Sequence, residues 1–143
     1  MESEKSKDRH SLDPLLAKAG KALAGFPQIR QAFLFGSVVE GKASPDSDLD
    51  IAVDAVEPMD IAEQTKLIRE LSNTFGRPVD LVFLHRCRGL LLKEILTRGV
   101  SVFPRNPDRL YPLLRRMVYE QEDFMPLVRR VKRERAAAFA HEH

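Results

Sequence analysis

Three aspartates and a Gly-Ser pair are the residues of this chain best placed to do chemistry. Phe35-Gly36-Ser37 is followed, after a ten-residue spacer, by Asp48-Leu49-Asp50, and Asp80 lies further on in Pro78-Val79-Asp80-Leu81-Val82. Strand side chains two apart share a face, so Asp48 and Asp50 project together. Two parallel carboxylates repel unless a cation lies between them. Hard oxygen donors of this kind suit Mg²⁺, which takes one or two carboxylates together with phosphate oxygens. Asp80, on a neighbouring strand, would close the same site. Three carboxylates can hold two ions roughly 3.5–4 Å apart, the arrangement that serves in-line displacement at phosphorus. Gly36, at the end of a strand, lets backbone approach a phosphate closely. Ser37 brings a hydroxyl and the N–H groups of a helix start, which favour anions.

Each part alone is ordinary. A Gly-Ser is usually a turn, and an Asp-Leu-Asp could be a solvated strand entrance. Asp80 is harder to dismiss, because a carboxylate inside the apolar run Val79–Leu84 is expensive without a partner. The conjunction carries the reading.

The elements that must position these groups can be read from hydrophobic period and turn residues. Leu12, Leu15, Leu16, Ala19 and Leu23 recur at helical spacing behind Pro14, which suits a first helical turn. Gln31–Phe35 is a strand ending at Gly36, a short helix begins at Ser37, and Leu49–Val53 is the second strand. Asp60–Asn73 is a helix with Ile61, Leu67, Ile68 and Leu71 on its buried face. Val79–Leu84 is the third strand, Gly89–Thr97 a further helix, and Val100–Phe103 a short edge strand. From Pro107 the pattern is helical to about Ala140, with Leu110, Leu113, Leu114, Met117, Gln121, Phe124, Met125, Val128 and Val131 on one stripe and a kink at Pro126. Phe26, Phe33, Phe75, Phe83 and Phe103 are core candidates, and Tyr111 and Tyr119 read as packing residues. The expected fold is α/β (α+β): a small mixed sheet of three to four strands flanked by helices. Residues 1–10 read as a disordered N-terminus, 11–104 as the core, and 105–143 as a C-terminal helical extension of the same domain.

With 143 residues the chain fits one ordinary domain. The net charge of +2 does not announce a nucleic-acid binder. Basic residues do crowd the C-terminal quarter, among them Arg105, Arg109, Arg115, Arg116, Arg129 and Arg130. They read equally as a phosphate or acidic-partner contact and as a solvated helix face. The lone Cys87 allows no internal disulfide and fits a reducing cytoplasm. His10, His85, His141 and His143 form no metal-ligand spacing. No apolar stretch approaches the roughly 20 residues needed to span a bilayer, and residues 1–10 do not read as a secretory signal. A cytoplasmic protein is expected.

Leu34-Phe35-Gly36-Ser37, the spacer, and Ser47-Asp48-Leu49-Asp50-Ile51-Ala52-Val53 together resemble the signature of the DNA polymerase β-type nucleotidyltransferase superfamily, in its minimal nucleotidyltransferase (MNT) branch. The resemblance covers roughly residues 12–104. It implies that Gly36 and Ser37 hold the β- and γ-phosphates, that Asp48 and Asp50 bind both metals, and that Asp80 binds the catalytic metal and helps activate the acceptor hydroxyl. Many minimal members carry an arginine three residues after the serine. Glu40 stands there in this chain, and Lys42 is the candidate substitute for a phosphate contact. Met117-Val118-Tyr119-Glu120-Gln121 and the helical stretch after it are similar to the C-terminal portion of the antitoxins of HEPN/MNT toxin–antitoxin pairs. That likeness implies ATP as donor, two Mg²⁺ ions, a HEPN ribonuclease partner in a hetero-complex or oligomer, and AMP transfer to a tyrosine hydroxyl of that toxin. Two other readings stay open: transfer to a small-molecule hydroxyl, and a catalytically silent antitoxin that inhibits by binding. No fingers, thumb or nucleic-acid module is legible, so template-directed synthesis and direct nucleic-acid binding are not expected.

Overall fold

The structure, a computed structural model, describes residues 2–42, 44, 46–104 and 106–120, with residues 2–11 described by their backbone alone. The element order is α1 (Glu2–Leu23), β1 (Ile29–Phe35), a 3₁₀ turn (Gly36–Val38), β2 (Leu49–Ala55), α2 (Ile61–Phe75), β3 (Val79–Phe83), a second 3₁₀ turn (Leu84–Arg86), α3 (Gly89–Arg98), β4 (Val100–Ser101) and α4 (Pro107–Glu120). The four strands form one mixed sheet in the order β3-β2-β1-β4. β1 runs antiparallel to β2 and to β4, while β2 and β3 are parallel.

Alternation along the strands gives the sheet two apolar faces. Leu34, Leu49, Ile51 and Val53 pack with Leu23, Phe26, Leu67 and Leu71 beneath α1 and α2. Phe33, Phe35 and Ala52 pack with Leu92, Ile95 and Leu113 beneath α3 and α4. A sheet covered on both faces explains why its strands read as near-continuous apolar runs. Burying a leucine or phenylalanine side chain here contributes about 1.5–3 kcal/mol.

Local chemistry sets the helix ends. The Asp60 carboxylate accepts the Glu63 N–H at 2.7 Å, an N-cap worth about 1 kcal/mol. α2 stops at Gly76, whose φ of 66° places it in the left-handed region and whose N–H donates to Ser72 O at 2.8 Å.

Four expectations need correction. Residues 2–10 are helical rather than disordered, as the start of α1. Straight-chain charged residues extend a helix at little cost once the apolar turns behind them have nucleated it. Pro14 accordingly lies inside α1 instead of in its first turn. On α2, Ile61 is 82% exposed and Ile68 38%, because the buried stripe runs through Leu67 and Leu71. Tyr111 and Tyr119 are exposed, at 63% and 66%, so they are not packing residues; the α4 stripe that packs is Leu110, Leu113 and Met117. The expected stripe from Gln121 to Val131 and the kink at Pro126 lie outside the described residues. Among the described residues, no helix is long and apolar enough to cross a membrane.

Candidate active site at the end of β1 beside Gly36

β1 delivers its chain to Gly36 alongside the first residues of β2. Phe35 is the register partner of Asp50, so the turn after β1 begins beside that carboxylate. Gly36 has φ 78°, a conformation L side chains rarely adopt. A Cβ added there would collide with Asp50 Oδ2 and lie 3.1 Å from Asp50 Cγ. The position therefore requires glycine twice over, for its backbone angle and for the room Asp50 takes. The expected helix at Ser37 is a single 3₁₀ turn. It is closed by Val39 and Glu40 N–H donating to Gly36 O at 3.1 Å each, and by Lys42 N–H donating to Ser37 O at 2.9 Å.

The three aspartates share a neighbourhood. Asp50 and Asp80 are register partners on the parallel strands β2 and β3, which in any sheet lie about 4.8 Å apart. Asp48 is two residues before Asp50, just ahead of β2. All three fall on the sheet face that α3 and α4 cover, the face of Ala52 and Val82. Asp50 is half-buried, while Asp48 and Asp80 are exposed. Burial pushes the Asp50 carboxyl above its ordinary value of 3.8, and the charges on Asp80, Asp48 and Glu94 push it further. Like charges so arranged are costly to hold ionised, and a bound cation relieves that cost.

No three His, Cys, Asp or Glu side chains among the described residues converge closely enough to ligate one ion. The donor set still fits Mg²⁺: hard carboxylate oxygens, a half-buried central aspartate, and two exposed aspartates free to turn toward it. Asp48, Asp50 and Asp80 are the residues that would hold it.

Sequence reasoning missed three residues of this neighbourhood, all on α3. Glu94 contributes to the field at Asp50. Arg98 Nη1 lies 3.5 Å from Glu40 Oε1, which gives Glu40 a partner, and Lys93 shares the same helix face as both. The one sequence signal was charge at positions 93, 94 and 98 of an otherwise apolar helix, and nothing in it says which strand that helix covers. Lys42 is exposed, held near Ser37 by its backbone.

The basic residues of α4 resolve differently. Arg109 holds buried Asp54 through Nε–Oδ2 at 2.5 Å and Nη2–Oδ1 at 2.9 Å, with Gln31 Nε2 donating to the same carboxylate at 3.1 Å. Arg116 donates to the carbonyls of Leu84 and, at 3.2 Å, His85, and Arg115 lies 6.0 Å from the ring centre of Tyr111. Arg109 and Arg116 thus fasten α4 to the sheet. Cys87 is buried with its thiol donating to Phe83 O at 3.3 Å, and burial raises its pKa. It is a packing residue, not a nucleophile.

A mixed sheet whose turn after the inner strand β1 meets paired carboxylates fits a nucleotidyltransferase-type core. The family described as Polymerase beta, Nucleotidyltransferase matches residues 18–108, and the chain belongs to it. It is 30% identical over 82 residues to the protein adenylyltransferase MntA of Shewanella oneidensis, an alignment covering 57% of this chain and 59% of that protein. The chain thus spans less than two thirds of that relative. It is 35% identical over 74 residues to the protein adenylyltransferase MntA of Thermococcus cleftensis, covering 52% of this chain and 75% of that one. A crystal structure of a toxin–antitoxin with AMP-PNP contains a chain of the same fold, with a TM-score of 0.63, 24% identity, and coverage of 88% of this chain and 96% of that one.

Proposed function

We propose that this chain transfers AMP from ATP to a hydroxyl on a partner protein, a tyrosine of a HEPN ribonuclease toxin, and so acts as the antitoxin of the pair. The observation that carries the chemistry is the half-buried Asp50, flanked by Asp80 and Asp48 and wedged against a left-handed Gly36. Such a cluster is wasteful in a purely structural role. The names of the two adenylyltransferase relatives and the toxin–antitoxin neighbour support protein adenylylation over other nucleotidyl transfers.

In this reading the acceptor oxygen attacks the α-phosphorus, the bond from that phosphorus to the bridging oxygen breaks, and pyrophosphate leaves. Asp80, exposed at the mouth of the site, takes the acceptor proton. Asp48, Asp50 and Asp80 would hold Mg²⁺, which when bound would polarise the phosphates and offset charge on the leaving group. The Gly36–Ser37 turn lets the phosphate tail lie against backbone, and Lys42 is a further candidate contact. Two ions and a cytoplasmic setting belong to the same proposal.

The test uses Mg²⁺, each α-³²P-labelled NTP, and the protein encoded next to this one. Label should move from ATP onto that partner and be lost in Asp48→Asn/Asp50→Asn, with melting curves checking the fold. Full protection of cells by the double variant would refute a catalytic role and leave inhibition by binding.

A further inference from the structure

We propose that Lys93 and Arg98 of α3 bind the phosphate tail of the nucleoside triphosphate, supplying cations from a helix that reaches the turn at Glu40. The proposal rests on the nucleotidyl-transfer reading above and names residues of the same site.

Leu90, Lys93, Glu94, Thr97 and Arg98 fall at i, i+3, i+4, i+7 and i+8 along α3, one face of a helix. Together they line an open groove of about 380 Å³, within the size range of ligand sites. One contact and one electrostatic influence tie that face to the candidate site. Glu94 is close enough to Asp50 for its charge to be felt there. Arg98 reaches Glu40, whose N–H closes the turn on Gly36 O at 3.1 Å. Through Arg98, the α3 face thus meets the turn where the tail would lie.

Charge balance favours a further cation at this place. Asp48, Asp50, Asp80 and Glu94 are all acidic, and a triphosphate adds several more negative charges to the same neighbourhood. Glu40 adds another beside the turn. Arg98 offers a planar fork of donors suited to phosphate oxygens, and half-buried Lys93 adds a point charge nearer the middle of the groove. The Arg98–Glu40 pair is long, and the Arg98 side chain is 72% exposed. A pair of that kind is weak and screened, so the guanidinium can exchange Glu40 for phosphate while staying near the turn.

The experiment is calorimetric titration of the full chain, in Mg²⁺, with ATP, pyrophosphate and AMP. The variants are Lys93→Ala, Arg98→Ala and the charge transplant Glu40→Arg/Arg98→Ala. Arg98→Ala should weaken ATP and pyrophosphate about tenfold or more and leave AMP unchanged, and Lys93→Ala should do the same to a smaller extent. The transplant should restore the lost affinity by placing a cation at position 40, an outcome that a purely structural role for Arg98 would not produce. ATP and pyrophosphate affinities unchanged in both single variants would overturn the assignment, as would an equal loss for AMP. If those affinities are unchanged while Asp48→Asn/Asp50→Asn still abolishes transfer, only this inference fails. If the wild-type chain binds no ATP, the transfer reading fails with it.

Discussion

Replacing Gly36 by alanine separates two costs that the structure assigns to one position. The backbone at φ 78° charges any L residue about 1–2 kcal/mol. The added Cβ also meets the Asp50 carboxylate, with Cγ only 3.1 Å away, and forcing that group aside adds about 1–3 kcal/mol. Gly76 is the matched control: its φ is 66°, and nothing lies within 4 Å of where its Cβ would stand. Gly76→Ala should therefore cost about 1–2 kcal/mol and Gly36→Ala about 2–5 kcal/mol, measured by urea unfolding in EDTA. Repeating Gly36→Ala in an Asp50→Ala background removes the colliding atoms. Its cost should fall to that of Gly76→Ala, a coupling of about 1–3 kcal/mol in the double-mutant cycle. Transfer activity should drop about 100-fold in Gly36→Ala, because a displaced carboxylate no longer sits where the chemistry needs it, and stay near wild type in Gly76→Ala. An equal cost for Gly36→Ala with and without Asp50 would refute the steric argument and leave the glycine explained by its backbone angle alone.

Other perturbations test the electrostatics. The Asp50 pKa is raised in the folded chain, so on raising the pH the unfolded chain releases this proton first, and the folded chain loses relative stability from the ordinary carboxylate range up through the raised value. Asp50→Asn should match wild type in acid and become progressively the more stable as pH rises, in urea titrations with EDTA; a gap independent of pH would contradict the charge cluster. Mg²⁺ should raise the melting temperature of wild type, by an amount equivalent to about 2.7 kcal/mol at a hundred times its dissociation constant, and raise that of Asp50→Asn far less. Equal shifts would place the ion elsewhere. Arg109→Ala strands the buried Asp54 charge and should cost about 3 kcal/mol in urea unfolding. A loss below about 1 kcal/mol would mean that α4 is held chiefly by Leu113 and its neighbours.

What the sequence by itself determined is local. The period of apolar residues marked the middle of each described helix and strand, because that pattern records which side must leave water, although on α2 it also counted the exposed Ile61 and Ile68. The pattern bounded α2 at Asp60–Asn73, close to the observed Ile61–Phe75, while the cap at Asp60 and the left-handed stop at Gly76 were seen only in the structure. Gly36, Ser37, Asp48 and Asp50 were legible because they lie on one β-turn-β stretch, where spacing and alternation nearly dictate geometry. Asp80 was legible as a carboxylate in an apolar strand, but the burial cost expected of it does not arise, because its side chain is exposed. The tertiary structure decided what depends on distant segments meeting. Only the parallel pairing of β2 with β3 makes Asp80 the partner of Asp50. Only the packing of α3 on β1 brings Glu94 into the field of Asp50 and Arg98 to Glu40. Only the docking of α4 turns Arg109 from a member of a basic cluster into the counter-ion of Asp54. The charged residues of α3 and α4 carry no periodic signal of their destination, because a helix face shows that it is polar and not what it will face. Side-chain identity sets what a group can do, and which charges act on it is set by the packing of elements far apart in the chain.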